Sequence, residues 1–170
     1  MTALAYVIGD GRGAVDLLLA EVAKALTADG VALAGVVQVN SETQGAVRCD
    51  MDLQVLGRPE TVRISQRLGN AARGCRLDQQ GLEAAVGLVG ASLAEKSLLI
   101  VNKFGKTEVE GRGFRPLIAS ALEQEMPVLV GLNRDNLAGF HAFAEGLGTE
   151  IPAEFAAILD WCRTQVPQTP

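Results

Sequence analysis

The sequence predicts an α/β domain in three layers, with a mostly parallel sheet, helices on both faces and an inserted β-hairpin. Short apolar runs alternate along the chain with stretches of helical periodicity. Hydrophobic residues make up 48% of the chain and aromatic residues only 4%, so most hydrophobic positions are aliphatic. This composition is typical of buried parallel strands packed under aliphatic helices. The 170 residues are enough for one domain and too few for two.

The first βα unit lies at the start of the chain. Residues 3–8 are a short apolar run that predicts a buried strand, and residues 9–13 form a Gly-rich turn. Apolar residues then recur at helical spacing until Gly30 stops the helix. Residues 31–39 are a second apolar run, so strand, helix and strand predict a right-handed βαβ unit.

A hairpin is predicted after the second strand. Residues 52–56 and 61–65 flank a Gly-Arg-Pro-Glu turn, which favours two antiparallel strands at a sheet edge or in a flap. The remaining predicted elements are helices near 79–94, 114–124, 137–145 and 152–165, strands at 97–101 and 127–131, and polar loops at 68–76, 103–111 and 133–136. We therefore expect one domain over residues 1–165 and a disordered tail at 166–170.

Charge and cysteine usage exclude several classes of protein. The net charge of −5 and the lack of a basic stripe argue against nucleic acid as a partner. Three widely spaced cysteines without a C-x-x-C pair argue against a disulfide framework and indicate a reducing, cytoplasmic compartment. We see no signal peptide and no apolar run near the roughly 20 residues that span a bilayer, so no membrane insertion is expected.

The turn after the first predicted strand is the first candidate site. Between a strand and a helix, backbone N–H groups of such a turn can point at an anion, and the helix dipole favours negative charge. The residues predicted to bind the anion here are Gly9, Gly11, Arg12 and Gly13. Two other interpretations stay open: a dinucleotide fingerprint of the form G-x-G-x-x-A, and a plain turn that needs glycine for its backbone angles.

The same turn departs from the P-loop pattern at its end. A P-loop continues with Gly-Lys-Ser/Thr, and here Ala14, Val15 and Asp16 stand at those positions. The phosphate-binding lysine is missing, and Arg12 is its candidate replacement. Because a carboxylate repels phosphate unless a cation bridges them, Asp16 is also a candidate metal ligand.

The second candidate segment follows the strand predicted at 97–101. Lys103, Lys106 and Arg112 make it cationic and are predicted to help neutralise a phosphate or another oxyanion. The signature N-K-x-D of GTP-binding proteins is incomplete here, because Gly105 takes the place of its aspartate. The alternative is a solvated loop in which acidic neighbours pair the lysines.

Cys75 is a candidate reactive thiol. Arg73 and Arg76 flank it, and neighbouring arginines lower a thiol pKa. The alternative is a small packed side chain, since no histidine partner is evident. His141, the only histidine, lies among phenylalanines and is expected to pack rather than to catalyse.

The segments VNKFGKTEVEGRGFRPLI and MPVLVGL carry a family resemblance that extends over nearly the whole chain. The chain resembles a bacterial domain-of-unknown-function family that is similar to the small P-loop nucleoside-triphosphatases of the cancer-related NTPase type. Their strand-tip pattern is D-E-I-G-x-x-E, which Gly105 and Glu108 match. Asn102 stands where the magnesium-side aspartate is expected, and Lys103 where the catalytic glutamate is expected.

The resemblance implies a P-loop-like fold, a nucleotide or phosphate ligand, and Mg²⁺ with a nucleoside triphosphate as cofactor. Members of the resembling family are often encoded beside molybdate-transport genes, which implies a role in molybdenum handling and an oxyanion such as molybdate as ligand. Because the P-loop lysine and both strand-tip acids are changed, the resemblance implies weak hydrolysis or none.

Three functions remain open from the sequence. The first is a P-loop-like protein that binds a nucleotide or oxyanion. The second is a non-enzymatic regulatory module that contacts a protein partner through residues 52–76. The third is an active nucleoside-triphosphatase in which Glu108 or Glu110 is the general base and Asp16 or Asp10 binds magnesium.

Overall fold

Nine strands and six α-helices alternate along the part of the chain that this computed structural model describes, residues 3–9, 13–42, 49–66 and 76–166. The strands are β1 (Leu4–Gly9), β2 (Leu33–Glu42), β3 (Cys49–Val55), β4 (Thr61–Arg63), β5 (Ser65–Gln66), β6 (Arg76–Leu77), β7 (Leu98–Asn102), β8 (Val128–Asn133) and β9 (Thr149–Glu150). The helices are α1 (Ala14–Ala28), α2 (Gln79–Ser92), α3 (Lys106–Val109), α4 (Arg115–Glu123), α5 (Leu137–Ala144) and α6 (Phe155–Gln165), with 3₁₀ turns at Leu93–Glu95 and Arg134–Asn136.

Seven strands form the central sheet in the order β4-β3-β2-β7-β8-β1-β9. Neighbouring strands in the run β2-β7-β8-β1-β9 pair in parallel. At the other edge, β3 pairs antiparallel with β2 and β4 pairs antiparallel with β3. The predicted hairpin therefore extends the sheet. The three-layer, mostly parallel α/β fold with a hairpin insertion is confirmed.

Each face of the sheet has its own hydrophobic core. Successive side chains of a strand point to opposite faces, so Leu98 and Ile100 pack on one side and Leu99 and Val101 on the other. Helices α1 and α6 cover the first face, which we call the α1/α6 core. Helices α2, α4 and α5 cover the second, which we call the α2/α4/α5 core. This two-sided burial explains why the central strands appear as continuous apolar runs.

The short elements differ most from the sequence prediction. The predicted polar loop at 103–111 contains helix α3, and the two-residue strand β9 was not predicted. Both lack an apolar periodicity, and β9 exists because it pairs with β1. Val166, in the predicted tail, packs partly buried against the α1/α6 core, whereas residues 167–170 lie outside the described part of the chain.

None of the helices in the described ranges combines the length and the apolar character that crossing a bilayer requires.

Candidate functional site

The carboxyl ends of β1, β7 and β8 meet the start of α1 at one edge of the sheet, where open α/β sheets bind ligands. A small cavity of about 10 Å³ lies there, enough for about one water molecule. Its lining residues are Gly9, Gly13, Val15, Asp16, Lys103, Leu132 and Asn133. Gly9, Gly13, Asp16 and Lys103, four of the residues singled out in the sequence, thus surround one space.

Gly13 ends the turn and caps α1. Its φ of 79° lies in the left-handed region that glycine favours, and its carbonyl accepts a hydrogen bond from Leu17 N at 3.0 Å. This conformation accounts for a glycine at position 13 whether or not an anion binds. Gly11 and Arg12 lie outside the described residues, so their anion-binding role remains a prediction.

Asp16 lies on the first turn of α1 and is buried, with 5% of its surface exposed. Asn102 Nδ2, at the tip of β7, donates a hydrogen bond to Asp16 Oδ1 at 2.8 Å. Lys103 Nζ lies 3.7 Å from the same oxygen. The helix start and the strand tip are therefore joined by a carboxylate, an amide and an ammonium group.

Gly131 of β8 makes room for this contact between α1 and β7. A Cβ atom at position 131 would lie 2.8 Å from Asn102 Oδ1 and 2.8 Å from Leu19 Cδ1. Asn102 is fully buried, and its Oδ1 has no hydrogen-bond donor in the described part of the chain. The sequence signal for this position was a glycine inside an apolar strand, which indicates a close approach.

A magnesium ion, which the resemblance implies, does not fit this arrangement. Magnesium requires several oxygen ligands. Asp16 Oδ1 already accepts from Asn102 and lies beside the positively charged Lys103. Elsewhere in the described residues, no cluster of three or more His, Cys, Asp or Glu side chains is arranged for a metal. The assignment of Asp16 as a metal ligand therefore requires Lys103 to move away.

The other predicted cations of this segment do not line the cavity. Lys106 is exposed, and Arg112 pairs at the surface with Glu110, at 2.6 Å between Nη2 and Oε2. Arg115 donates to the carbonyl of Val109 at 3.1 Å and lies over the ring of Phe143. Of the basic residues in this segment, Lys103 is the one that faces the glycine turn.

Glu108 is buried within the segment that links β7 to α4. Its Oε1 accepts from Gly105 N at 2.9 Å and its Oε2 from Phe114 N at 3.0 Å. Burial raises the pKa of Glu108, and the two backbone hydrogen bonds oppose that rise. Glu83 lies nearby and accepts from Gly113 N at 3.2 Å. Glu108 fixes the shape of this segment, and it is not among the residues that line the cavity.

The predicted thiol and partner sites are only partly described. Cys75 lies outside the described residues, so its reactivity remains a prediction. Cys162 is buried, which raises its pKa to about 12 and makes it inert. In the predicted partner segment 52–76, the described hairpin carries ion pairs between Arg58 and Glu60 and between Arg63 and Asp52.

Solved structures with this architecture include THEP1 from the hyperthermophile Aquifex aeolicus. The two chains share a TM-score of 0.66 over 99% of this chain and 100% of that chain, at 12% sequence identity. At this level of identity the similarity shows the fold. It agrees with the α/β fold described above.

Among curated proteins, the Molybdenum import ATP-binding protein ModC 2 of Bradyrhizobium diazoefficiens is 33% identical over 150 residues. The alignment covers 88% of this chain and 17% of the relative, so this chain spans less than a fifth of the relative's length. The family described as "Protein of unknown function (DUF2478)" matches residues 4–161. The chain belongs to this family, and its fold is similar to that of THEP1.

Proposed function

We propose that this domain binds a nucleotide or a phosphate-like oxyanion at the edge of the sheet and hydrolyses it slowly or not at all. The observation that carries the proposal is the cavity in which Lys103 faces Gly9 and Gly13 at the start of α1. A cation, a glycine turn and a helix N-terminus together favour an anion. The P-loop-like fold and a relative named as ATP-binding support the nucleotide. We also propose a cytoplasmic location, because three widely spaced cysteines without a C-x-x-C pair are typical of a reducing compartment.

The side chains at the strand tip argue against fast hydrolysis. Phosphoryl transfer in P-loop enzymes uses a lysine and a metal-binding hydroxyl on the helix and acids on the neighbouring strand. Here Val15 and Asp16 stand on the helix, and Asn102 and Lys103 stand at the tip of β7. No carboxylate at the strand tip can orient water or hold the metal, so the rate should be lower by several powers of ten.

A molybdenum-related role is the finer part of the proposal. The relative that is 33% identical is named for molybdenum import, and this chain corresponds to 17% of it. We therefore propose that the domain serves molybdenum handling as an accessory unit whose ligand is a nucleotide or an oxyanion such as molybdate.

The test is binding by the purified protein, measured by thermal shift and calorimetry. ATP, GTP, phosphate and molybdate are each added with and without MgCl₂. A ligand present at about 100 times its Kd should stabilise the fold by about 2.7 kcal/mol, which raises the melting temperature. If all four compounds leave the melting temperature and the heat signal unchanged, the binding proposal is wrong.

The second candidate function is a regulatory module that binds a protein through the hairpin. The observation in its favour is an exposed edge strand, β4, next to the charged pairs of Arg58 with Glu60 and Arg63 with Asp52. A defined partner recovered with the wild-type chain should be lost with the Arg58→Ala/Glu60→Ala variant and retained with Arg163→Ala. Equal recovery of the partner with all three proteins would exclude the hairpin as the binding surface.

The third candidate, hydrolysis with Glu108 as the base, is tested by phosphate release from ATP. Glu108 would have to leave the N–H groups of Gly105 and Phe114 to meet a water molecule. We expect wild type and Glu108→Gln to release phosphate at the same low rate. A drop of about 100-fold or more in the variant would instead identify a general base.

A further inference from the structure

We propose that the ammonium group of Lys103 takes the place that a magnesium ion holds in P-loop nucleoside-triphosphatases. The site would then bind its oxyanion without a divalent metal. This inference rests on the proposed function, and it adds the residue that replaces the metal.

The charges of the helix and the strand are exchanged relative to the P-loop pattern. That pattern places a neutral hydroxyl on the helix and acids on the strand, and the metal bridges them to the phosphates. Here the carboxylate, Asp16, is on α1, while the strand carries the neutral Asn102 and the cationic Lys103. The chain thus supplies one carboxylate together with its own positive partner.

The contacts hold this cation beside the glycine turn. Asn102 Nδ2 donates a hydrogen bond of 2.8 Å to Asp16 Oδ1, and the same oxygen lies 3.7 Å from Lys103 Nζ. The Lys103 side chain keeps 28% of its surface exposed, so a ligand can reach its ammonium group. An ammonium group has three N–H donors, and one pairing with Asp16 leaves donors for an oxyanion. Lys103 can therefore bridge a carboxylate and an anion as a metal would.

A divalent ion would compete with Lys103 for the same place. Both Asp16 and Lys103 line a cavity of about 10 Å³, so an ion bound to Asp16 there would lie against the ammonium group. Like charges at such a distance repel. Removing the ammonium group of Lys103 should therefore weaken anion binding. It should also allow magnesium to bind at Asp16 and the buried Asn102 Oδ1.

The experiment compares wild type, Lys103→Met and the control Lys24→Met, an exposed lysine on α1. ATP binding is measured by calorimetry in EDTA and in MgCl₂. Wild type and Lys24→Met should bind at least as tightly in EDTA as in MgCl₂. Lys103→Met should lose about tenfold or more of its affinity in EDTA and regain part of it in MgCl₂. If wild type loses its binding in EDTA, the proposal is overturned while the proposed function stands.

A second readout needs no ligand. MgCl₂ alone should raise the melting temperature of Lys103→Met and leave that of wild type unchanged, and Lys103→Gln should behave like Lys103→Met. If wild type binds none of ATP, GTP, phosphate and molybdate in either buffer, the proposed function fails, and this readout still decides the metal question. Equal responses of wild type and both Lys103 variants to magnesium would show that Lys103 does not stand in its place.

Discussion

Gly131 lies where β8 passes under the contact between Asp16 and Asn102. A methyl group there would meet Asn102 Oδ1 and Leu19 Cδ1 at 2.8 Å and Val15 Cγ1 at 3.0 Å. These distances are shorter than van der Waals contact, so Asn102 and Leu19 would have to shift. Because Gly131 has no side chain, α1 and the tip of β7 can form the buried hydrogen bond between Asp16 and Asn102.

We expect Gly131→Ala to lower the free energy of unfolding by about 1–3 kcal/mol, because overpacking displaces buried side chains. Chemical denaturation of the variant measures this change, with Gly87→Ala as the control, since a Cβ at that helical position has nothing within 4 Å. An unchanged stability for Gly131→Ala would show that Asn102 adapts without loss of its contact.

Glu108 is a second residue whose role is set by burial. Glutamine keeps its shape, but its NH₂ group would face one of the two N–H donors that the carboxylate now accepts. We expect Glu108→Gln to lose about 1–3 kcal/mol of stability at neutral pH. Glu110→Gln, at an exposed ion pair, should change it by less than about 1 kcal/mol.

The pH dependence of that loss follows from the raised pKa of Glu108. A group with a raised pKa in the folded state stabilises the protein fully below its unfolded value, near 4.5. That contribution is lost as the pH rises through the folded value. The difference in unfolding free energy between wild type and Glu108→Gln should therefore be largest in acid and should narrow above pH 4.5. A difference that grows with pH would contradict the direction of the shift.

At the scale of elements, β2 approaches β7 closely because residue 35 has no side chain. Gly35 has a φ of 113°, and a Cβ atom there would clash with the carbonyl oxygen of Ile100. The pairing of β2 with β7 includes Gly35 opposite Ile100. This ladder holds the hairpin to the sheet and places β7, with Asn102 and Lys103 at its tip.

Gly35→Ala should be among the most damaging single changes in the chain. Strain at the positive φ and the clash with a backbone carbonyl add together, so we expect a loss of more than about 3 kcal/mol. Circular dichroism melting of the variant measures it, and Gly87→Ala again serves as the tolerant comparison. A melting temperature within a few degrees of wild type would mean that β2 shifts its register instead.

The long elements were predictable because each buries a regular apolar pattern. The strand after Ser97 and the helix behind Gly13 show this periodicity over several residues. Helix α3 has four residues and few apolar ones, and it depends on Glu108 accepting hydrogen bonds from both sides. These hydrogen bonds reach only three and six residues along the chain, but so short an element has no apolar periodicity from which it could be predicted.

The candidate site was predictable only in its parts. Asp16 stood out at the position of the P-loop hydroxyl, and Lys103 as a charge at the carboxyl edge of a predicted sheet. The hydrogen bond between Asp16 and Asn102, beside Lys103, joins positions 86 residues apart and depends on β8 lying between β1 and β7. Sequence spacing does not specify that strand order. The sequence predicted several cations around an anion, whereas the structure has the cation Lys103 held beside the carboxylate of Asp16.

At the scale of the whole molecule, one sheet separates the α1/α6 core from the α2/α4/α5 core. The four central strands, β1, β2, β7 and β8, each contribute side chains to both cores, as Leu98 and Leu99 of β7 do. Loss of packing on one face should therefore remove the support of the other. We infer that the domain unfolds in a single cooperative transition.

Ile118→Ala tests this inference from one face to the other. Ile118 is fully buried in the α2/α4/α5 core, whereas Trp161, the only tryptophan, packs against the α1/α6 core. The truncation should cost about 2–5 kcal/mol. Trp161 fluorescence and far-ultraviolet circular dichroism should report the same lowered denaturation midpoint, while Glu123→Ala, exposed on the same helix, leaves it unchanged. A Trp161 midpoint that stays at the wild-type value would show that the two cores unfold independently.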